Sequence, residues 1–469
     1  MRRVFLIEFL FHRDEINMKR LFFGAAVLVA EVLTLCFQAN GENVQGLYDA
    51  AKVNDPVLRA AEANYHARSE ILPQARSALL PSIALQGSTS ENQRDSIRPV
   101  KETFINKNWS AHLRQPIFNA QRWFTYRGAK ALKSQAKHDF AAIEQSLIIR
   151  VVGAYLNVLR AQARVEVTRA QEEAVKRQLE QVRLRFDVGL VAITDVLEST
   201  AAYDASVVTR IQAEGDHDVF FETLQTVTGV EHEEIALLDV SLPIVNPDPM
   251  NEREWVDSAL SRNLTILGAR EALTASERDL RAKLSEHLPT IEAVVSHNHF
   301  STEGMSFLGS KTDTQVYSLQ AQMPIFQGGF IRSRVKQSRH RREQARQTLI
   351  EREHTVTRDT RNLFRTVATD VLRVKARIRA IKSSELALEA TATGYEVGTR
   401  NIVDVLQAQQ RLFSSQFDYA DSRYKYVLDL LQLKQSAGTL DHSDIRQLST
   451  FSDSENPIIR IDSIKSRSS

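Results

Sequence analysis

The sequence predicts a mainly α protein with a smaller β part, and the whole plan is written twice. Three observations predict it. A short Gly-broken phrase occurs as "RFDVGLVAITDVLES" at 185–199 and as "GYEVGTRNIVDVLQA" at 394–408, an offset of 209 residues. Each copy closes a long stretch without proline, 127–187 in one half and 331–397 in the other. Each half also carries two runs in which apolar and polar residues alternate. Self-similarity of this kind decides the architecture before local propensity is weighed.

The duplication reaches beyond that phrase. "LLPSIAL" at 79–85 matches "HLPTIEA" at 287–293, and "QPIFNAQ" at 115–121 matches "MPIFQGG" at 323–329, both offset by 208. "AAKVNDPVL" at 50–58 resembles "ALSRNLTIL" at 259–267. The chain therefore divides into a leader over 1–41, a first repeat over 42–240, a linker over 241–250 marked by Pro243, Pro247 and Pro249, a second repeat over 251–440, and a polar tail over 441–469.

Within each repeat the order is the same. A helical segment (43–78; 251–286) precedes a hairpin of two strands, at 81–118 and 289–326. A long helix follows, breaks at the Gly phrase, and a return helix runs back over about 193–229 and 402–437. The proline-free stretches would be about 90–100 Å long as ideal helices. Val175, Leu179, Val182 and Phe186 fall at spacings 4, 3, 4, a coiled-coil seam. Phe140, Ile143, Leu147, Val151 and Tyr155 depart from the strict heptad, which locally unwinds a supercoil. Pro81, Pro116, Pro289 and Pro324 are expected at the joins, where a missing N–H does least damage.

In the strand runs, Tyr317, Leu319, Ala321, Met323 and Ile325 share one face, against Ser318, Gln320 and Gln322 on the other. Trp109, Ala111, Leu113 and Ile117 oppose Ser110, His112 and Arg114 in the same way, with Ile83, Leu85 and Gly87, and Ile291, Ala293 and Val295, as weaker partners. Polar loops are expected near 90–107 and 301–313. A soluble sheet packed on helices would alternate too. A charged, polar face opposite one that begins with an aromatic suits lipid outside and water inside. Four strands cannot close a barrel, and an open edge in lipid leaves backbone groups unpaired at several kcal/mol each. Several chains would have to pool their strands.

Charge is nearly balanced, 60 basic residues against 58 acidic, which gives nucleic acid no foothold as a partner. The single cysteine, Cys36, excludes a disulfide within the chain. It lies in a stretch that reads as a secretory signal: Lys19 and Arg20, the apolar run Leu21–Phe37 interrupted by Glu31, then Ala39 and Gly41. A transmembrane anchor is the alternative. Residues 1–17 read as an upstream start-site misassignment. No later apolar run approaches 20 residues, so no further helix is expected to span a membrane.

From "ENVQGLYDAAKVNDP" to about "SAGTL" at 436–440, and most specifically in "FDVGLVAITDV" and "YEVGTRNIVDVL", the sequence resembles the TolC family of outer-membrane efflux and type I secretion channel proteins. The resemblance implies a homotrimer in which twelve pooled strands form one membrane barrel, continued by an α-helical barrel of long coiled-coil helices across the periplasm. Residues 229–250 and the C-terminal stretch would belong to a mixed belt around it. It further implies an exit duct whose tips, Val188, Gly189, Leu190, Val397, Gly398 and Thr399, dock a periplasmic adaptor protein serving an inner-membrane transporter. Thr194, Asp195, Tyr395 and Arg400 match the polar gate, and Asp404 the acidic constriction, where clustered carboxylates favour cations. The sequence departs from the family pattern at Gln407, where a second aspartate is expected; the repeat-equivalent position of Asp404 plus one turn in the first half is Glu198.

Other signals lead nowhere by themselves. His297 and His299 could share a strand face, but two histidines make a poor metal site. The run Arg332, Arg334, Lys336, Arg339, Arg341, Arg342 reads as a solvated face near anionic headgroups. No phosphate loop, HExxH, GxSxG or cysteine nucleophile is present, and nothing calls for a cofactor or an enzyme. The tail, rich in Ser, Asp, Arg and Lys, reads as a disordered extension. Two rivals stay open: a periplasmic structural coiled coil without a channel, and an adaptor subunit, which would show one helical hairpin beside β-rich domains.

Overall fold

A computed structural model describes residues 42–95, 101–239, 241–304 and 310–461; the leader at 1–41 lies outside them. The first repeat runs α1 (Val44–Asn54), α2 (Pro56–Ser69), α3 (Ile71–Ser77), β1 (Ser82–Asp95), β2 (Lys101–Phe118), α4 (Ala120–Asp187), α5 (Ile193–Thr228) and β3 (Glu234–Leu238). The second runs α6 (Glu252–Arg262), α7 (Leu264–Leu284), β4 (Thr290–Glu303), β5 (Lys311–Gln322), α8 (Phe330–Glu396) and α9 (Ile402–Ser436), followed by α10 (His442–Ser449) and β6 (Ser452–Ile459).

The expected first helices are broken, and the sequence shows why. Asp55 ends α1 and caps α2, accepting from Val57 N at 3.2 Å and Leu58 N at 3.1 Å, with Pro56 at the first helical position where it lacks nothing. Asn263 does the same between α6 and α7. The long helices α4 and α8 span 68 and 67 residues; α8 falls within one residue of the expected 331–397, while α4 begins at Ala120, before the expected 127. Leu147, Val151 and Tyr155 of the irregular seam are buried, joined by Leu47, Phe221, Leu224, Val367, Tyr426 and Leu431 in one central core. Tyr155 also donates to Ala236 O at 2.9 Å, so its hydroxyl is satisfied inside that core. One segment of α4 is long and apolar enough to cross a membrane by composition alone, contrary to the expectation that none exists after the leader. Half of it is buried against the other helices, and the core contacts above account for its apolarity.

The four long strands form one antiparallel sheet in the order β1–β2–β4–β5, so the hairpin of one repeat joins that of the other through β2 and β4. The register stacks Ile83, Leu113, Val295 and Tyr317 in one row, and Gln115, Ala293 and Leu319 in the next, all on one face. The opposite face carries rows such as Gln86, Ser110, Asn298 and Thr314. On the apolar face Ile83 and Leu85 are 77% and 75% exposed, and Tyr317 and Leu319 are equally bare. Such a surface is out of place in water.

The strands are longer than the alternation suggested: the loops expected at 90–107 and 301–313 shrink to the segments between β1 and β2 and between β4 and β5. Pairing can continue beyond a lipid layer where both faces are wet, and there the two-residue period disappears. Pro116 is not at a join but inside β2, beside an irregularity in register between Pro116 and Phe118.

Over 441–461 the expected disordered tail is corrected, and 462–469 lie outside the described residues. Asp441 and Asp444 form a capping box that starts α10, and β6 pairs antiparallel with β3. Ile445, Leu448, Ile458 and Ile461 are buried, four aliphatic anchors that outweigh the polar composition around them. With α1 and α10 they form the mixed belt beside the long helices.

Candidate functional site: the paired helix tips

Each long hairpin turns at its Gly phrase. After α4, Val188 closes the helix and Gly189 takes φ 77°, with Gly189 N–H donating to Phe186 O (2.8 Å) and Leu190 N–H to Arg185 O (2.9 Å). After α8, Gly398 takes φ 81°, and Thr399 N–H donates to Gly394 O at 2.8 Å. This is the left-handed C-terminal closure that favours glycine. A Cβ at either position would meet nothing within 4 Å, so the demand is on the backbone alone. The flanking side chains point out: Val188, Leu190 and Val397 are 70%, 74% and 69% exposed. Thr399 turns inward to its own loop, its hydroxyl donating to Gly394 O at 3.0 Å.

The two tips pack on each other through Val182 of α4 and Ile402 and Val405 of α9, flanked by Val191, Val196, Leu388 and Tyr395. The expected gate residues are only partly brought together within one chain. Tyr395 lies close enough to Asp195 to feel its charge, and its hydroxyl titrates above the usual range because of burial first and Asp195 second. That hydroxyl is buried and finds no acceptor among the described residues. Arg185, which sequence reasoning missed although it stands inside the quoted phrase, lies over the Tyr395 ring at 5.3 Å. Thr194 reaches only its neighbour, Asp195 Oδ1, at 3.5 Å.

Arg400 faces elsewhere. It lies in the tip loop just before α9, well exposed, 3.8 Å from Asp404 Oδ2, an arrangement worth only about 0–1 kcal/mol. Asp404 also joins Asn401 in the capping box of α9, where Asn401 Oδ1 accepts from Asp404 N at 2.8 Å. Glu198 and Gln407 are exposed. On the sheet, His297 and His299 do share a face, and Trp109 stacks on His299 at 5.7 Å while His299 Nδ1 meets Asp313 Oδ1 at 2.6 Å. Among the described residues no group of three or more side chains could hold a metal ion.

A family model described as "Outer membrane efflux protein" matches residues 47–230 and 255–439, one match for each repeat. The chain belongs to this family. It is 32% identical to the outer membrane protein TolC of Vibrio cholerae over 415 residues, 88% of this chain and 94% of that one. It is 26% identical to the proteases secretion protein PrtF of Dickeya chrysanthemi, over 91% of this chain and 95% of that one. The fold matches the solved channel CusC with a TM-score of 0.75 at 16% identity, covering 86% of this chain and 95% of that chain. The family is one of channels in the outer membrane of Gram-negative bacteria, which is where this member resides. The open sheet, the apolar face and the long helices are the parts such a channel needs.

Proposed function

We propose that three copies of this chain form the exit duct of a tripartite efflux pump or type I secretion system, conducting substrates passively from an inner-membrane transporter to the exterior. The observation that carries the reading is the four-stranded sheet. Among the described residues its outer strands, β1 and β5, have no further neighbour, and one face bears an exposed apolar band that includes Ile83, Leu85, Tyr317 and Leu319. In lipid both edges must pair, and edge-to-edge closure of three sheets gives a barrel of twelve strands. A periplasmic tether needs no such sheet, and an adaptor would not carry two equivalent helical hairpins.

The bare tips at Val188, Gly189, Leu190, Val397, Gly398 and Thr399 would receive the periplasmic adaptor. Thr194, Asp195, Tyr395 and Arg400 would hold the periplasmic end shut, and Asp404 would set a cation-favouring constriction. Arg400 and the Tyr395 hydroxyl lack gate partners inside one chain, so their locks would be made across the boundary between chains. Links of this kind are individually weak, which lets adaptor docking undo them. With Gln407 in place of a second aspartate, the cation block is weaker than in a duct with two acidic rings. The test is single-channel conductance of the purified protein in a planar bilayer, with Arg400→Ser beside it. A small cation-favouring conductance that rises in the variant is expected. An unchanged conductance removes Arg400 from the gate; folded protein that never inserts removes the duct.

A further inference from the structure

The α8–α9 hairpin contains a charged cluster that neither the tip nor the sheet uses. Asp370 of α8 is 0% exposed and Asp429 of α9 is 6% exposed, set among Val367, Val371, Tyr426 and Leu431 of the central core. The Asp429 carboxyl lies close enough to Asp370 for its charge to be felt there. Arg373 Nη1 donates to Asp370 Oδ1 at 2.6 Å, which leaves Asp370 Oδ2 buried and without a partner. Lys425 Nζ forms an ion pair with Asp429 Oδ2 at 3.1 Å, one turn along the same helix. Two buried carboxylates that feel each other's charge are costly, and a single proton shared between them would convert repulsion into an O–H···O bond.

We propose that Asp370 and Asp429 form a proton-binding site that clasps α8 to α9 while the carboxyls share one proton and loosens the pair when it leaves. The charged groups on the elements packed against it are engaged elsewhere: on α4, Arg160 pairs with Asp421 and Arg164 covers the Phe417 ring; on α6, Glu252 holds Arg361 and Arg365. Arg373 and Lys425 are thus the cations that answer the pair. Burial, then the Asp429 carboxyl, pushes the Asp370 carboxyl up to about 6, against the opposing charge of Arg373. A folded-state value above the ordinary 3.8 means that the native pair binds protons the unfolded chain has released, so its contribution to stability is greatest at low pH and is lost as pH rises towards about 6. The site sits 27 residues before Val397, about 40 Å of helix from the tip, on the hairpin that carries Tyr395, Arg400 and Asp404. It does not depend on the duct reading.

The test is hydrogen exchange of the full-length protein in detergent, comparing α8 and α9 core amides after correction for intrinsic rates. From about pH 5 to about pH 7.5, core protection should fall by about tenfold or more, one pKa unit being a factor of ten. Asp429→Asn and Asp370→Asn each keep a hydrogen-bonding partner and remove the like charge, and should flatten that dependence; a protonated-carboxyl infrared band present in the wild type near pH 5.5 should disappear in Asp370→Asn. Protection that is flat with pH in the wild type overturns the proposal, as does a pH dependence that survives in both folded variants.

Discussion

Tyr395→Phe separates two accounts of the gate by the sign of its effect. The substitution removes one oxygen and leaves the ring, so the packing against Val182, Ile402 and Val405 is kept. Among the described residues the hydroxyl is buried and finds no acceptor, a situation that costs about 1–3 kcal/mol if nothing else supplies one. If it is truly orphaned, Phe is the better residue, and the closed duct becomes tighter. If the closed trimer supplies an acceptor from a neighbouring chain, as a gate role requires, each lost bond removes about 1 kcal/mol. Three copies then shift the closed-to-open balance by about 3 kcal/mol, roughly a hundredfold. Single-channel recording of the purified variant reads this as open probability at fixed voltage. A large rise supports the lock across chains. Unchanged or diminished opening refutes it and leaves Tyr395 with a purely structural role.

Four further outcomes are expected. Gly398→Ala and Gly189→Ala should each destabilise the tip by about 1 kcal/mol through the positive φ alone, with no steric component, so thermal unfolding of the tip helices monitored by hydrogen exchange should show local loss only. Asp404→Asn should weaken block by divalent cations and loosen the start of α9, whereas Gln407→Asp should strengthen block; equal block in wild type and Gln407→Asp contradicts the single-ring reading. Asp55→Ala should cost about 1–2 kcal/mol, losing the α2 cap and stranding Arg150 at a half-buried site. Although burial opposes its ionisation, the Arg150 and backbone hydrogen bonds hold the Asp55 carboxyl below its ordinary range. Its contribution is therefore complete above the ordinary value of 3.8 and is lost as pH falls through the lower folded value, so acid unfolding of wild type and Asp55→Ala should converge.

What the sequence made legible follows from which forces are local. The long helices, the sheet and the tips were readable because each rests on periodicity or on a glycine: Leu147, Val151 and Tyr155 announce a buried seam, and Gly189 and Gly398 announce turns that only a positive φ completes. The belt was not readable, because Ile445, Leu448, Ile458 and Ile461 are too sparse to form a pattern and gain meaning only from β3 and α1, some two hundred residues or more away in sequence. The tip illustrates the same limit within the site. Its members were named from the quoted phrases, yet Arg185 was passed over because a cation above an aromatic ring has no spacing signature between α4 and α8. The failure of Arg400 to meet Thr194, Asp195 or Tyr395 within the chain points the same way as the open edges of β1 and β5. Among the described residues, strand edges without neighbours, a buried hydroxyl without an acceptor and an arginine facing away from its expected partners are all incomplete in one copy. A second copy beside each edge would complete the sheet, and the same arrangement brings each tip against another. In the proposed trimer the incompleteness at both ends would have one cause, and the barrel and the gate would close by the same assembly.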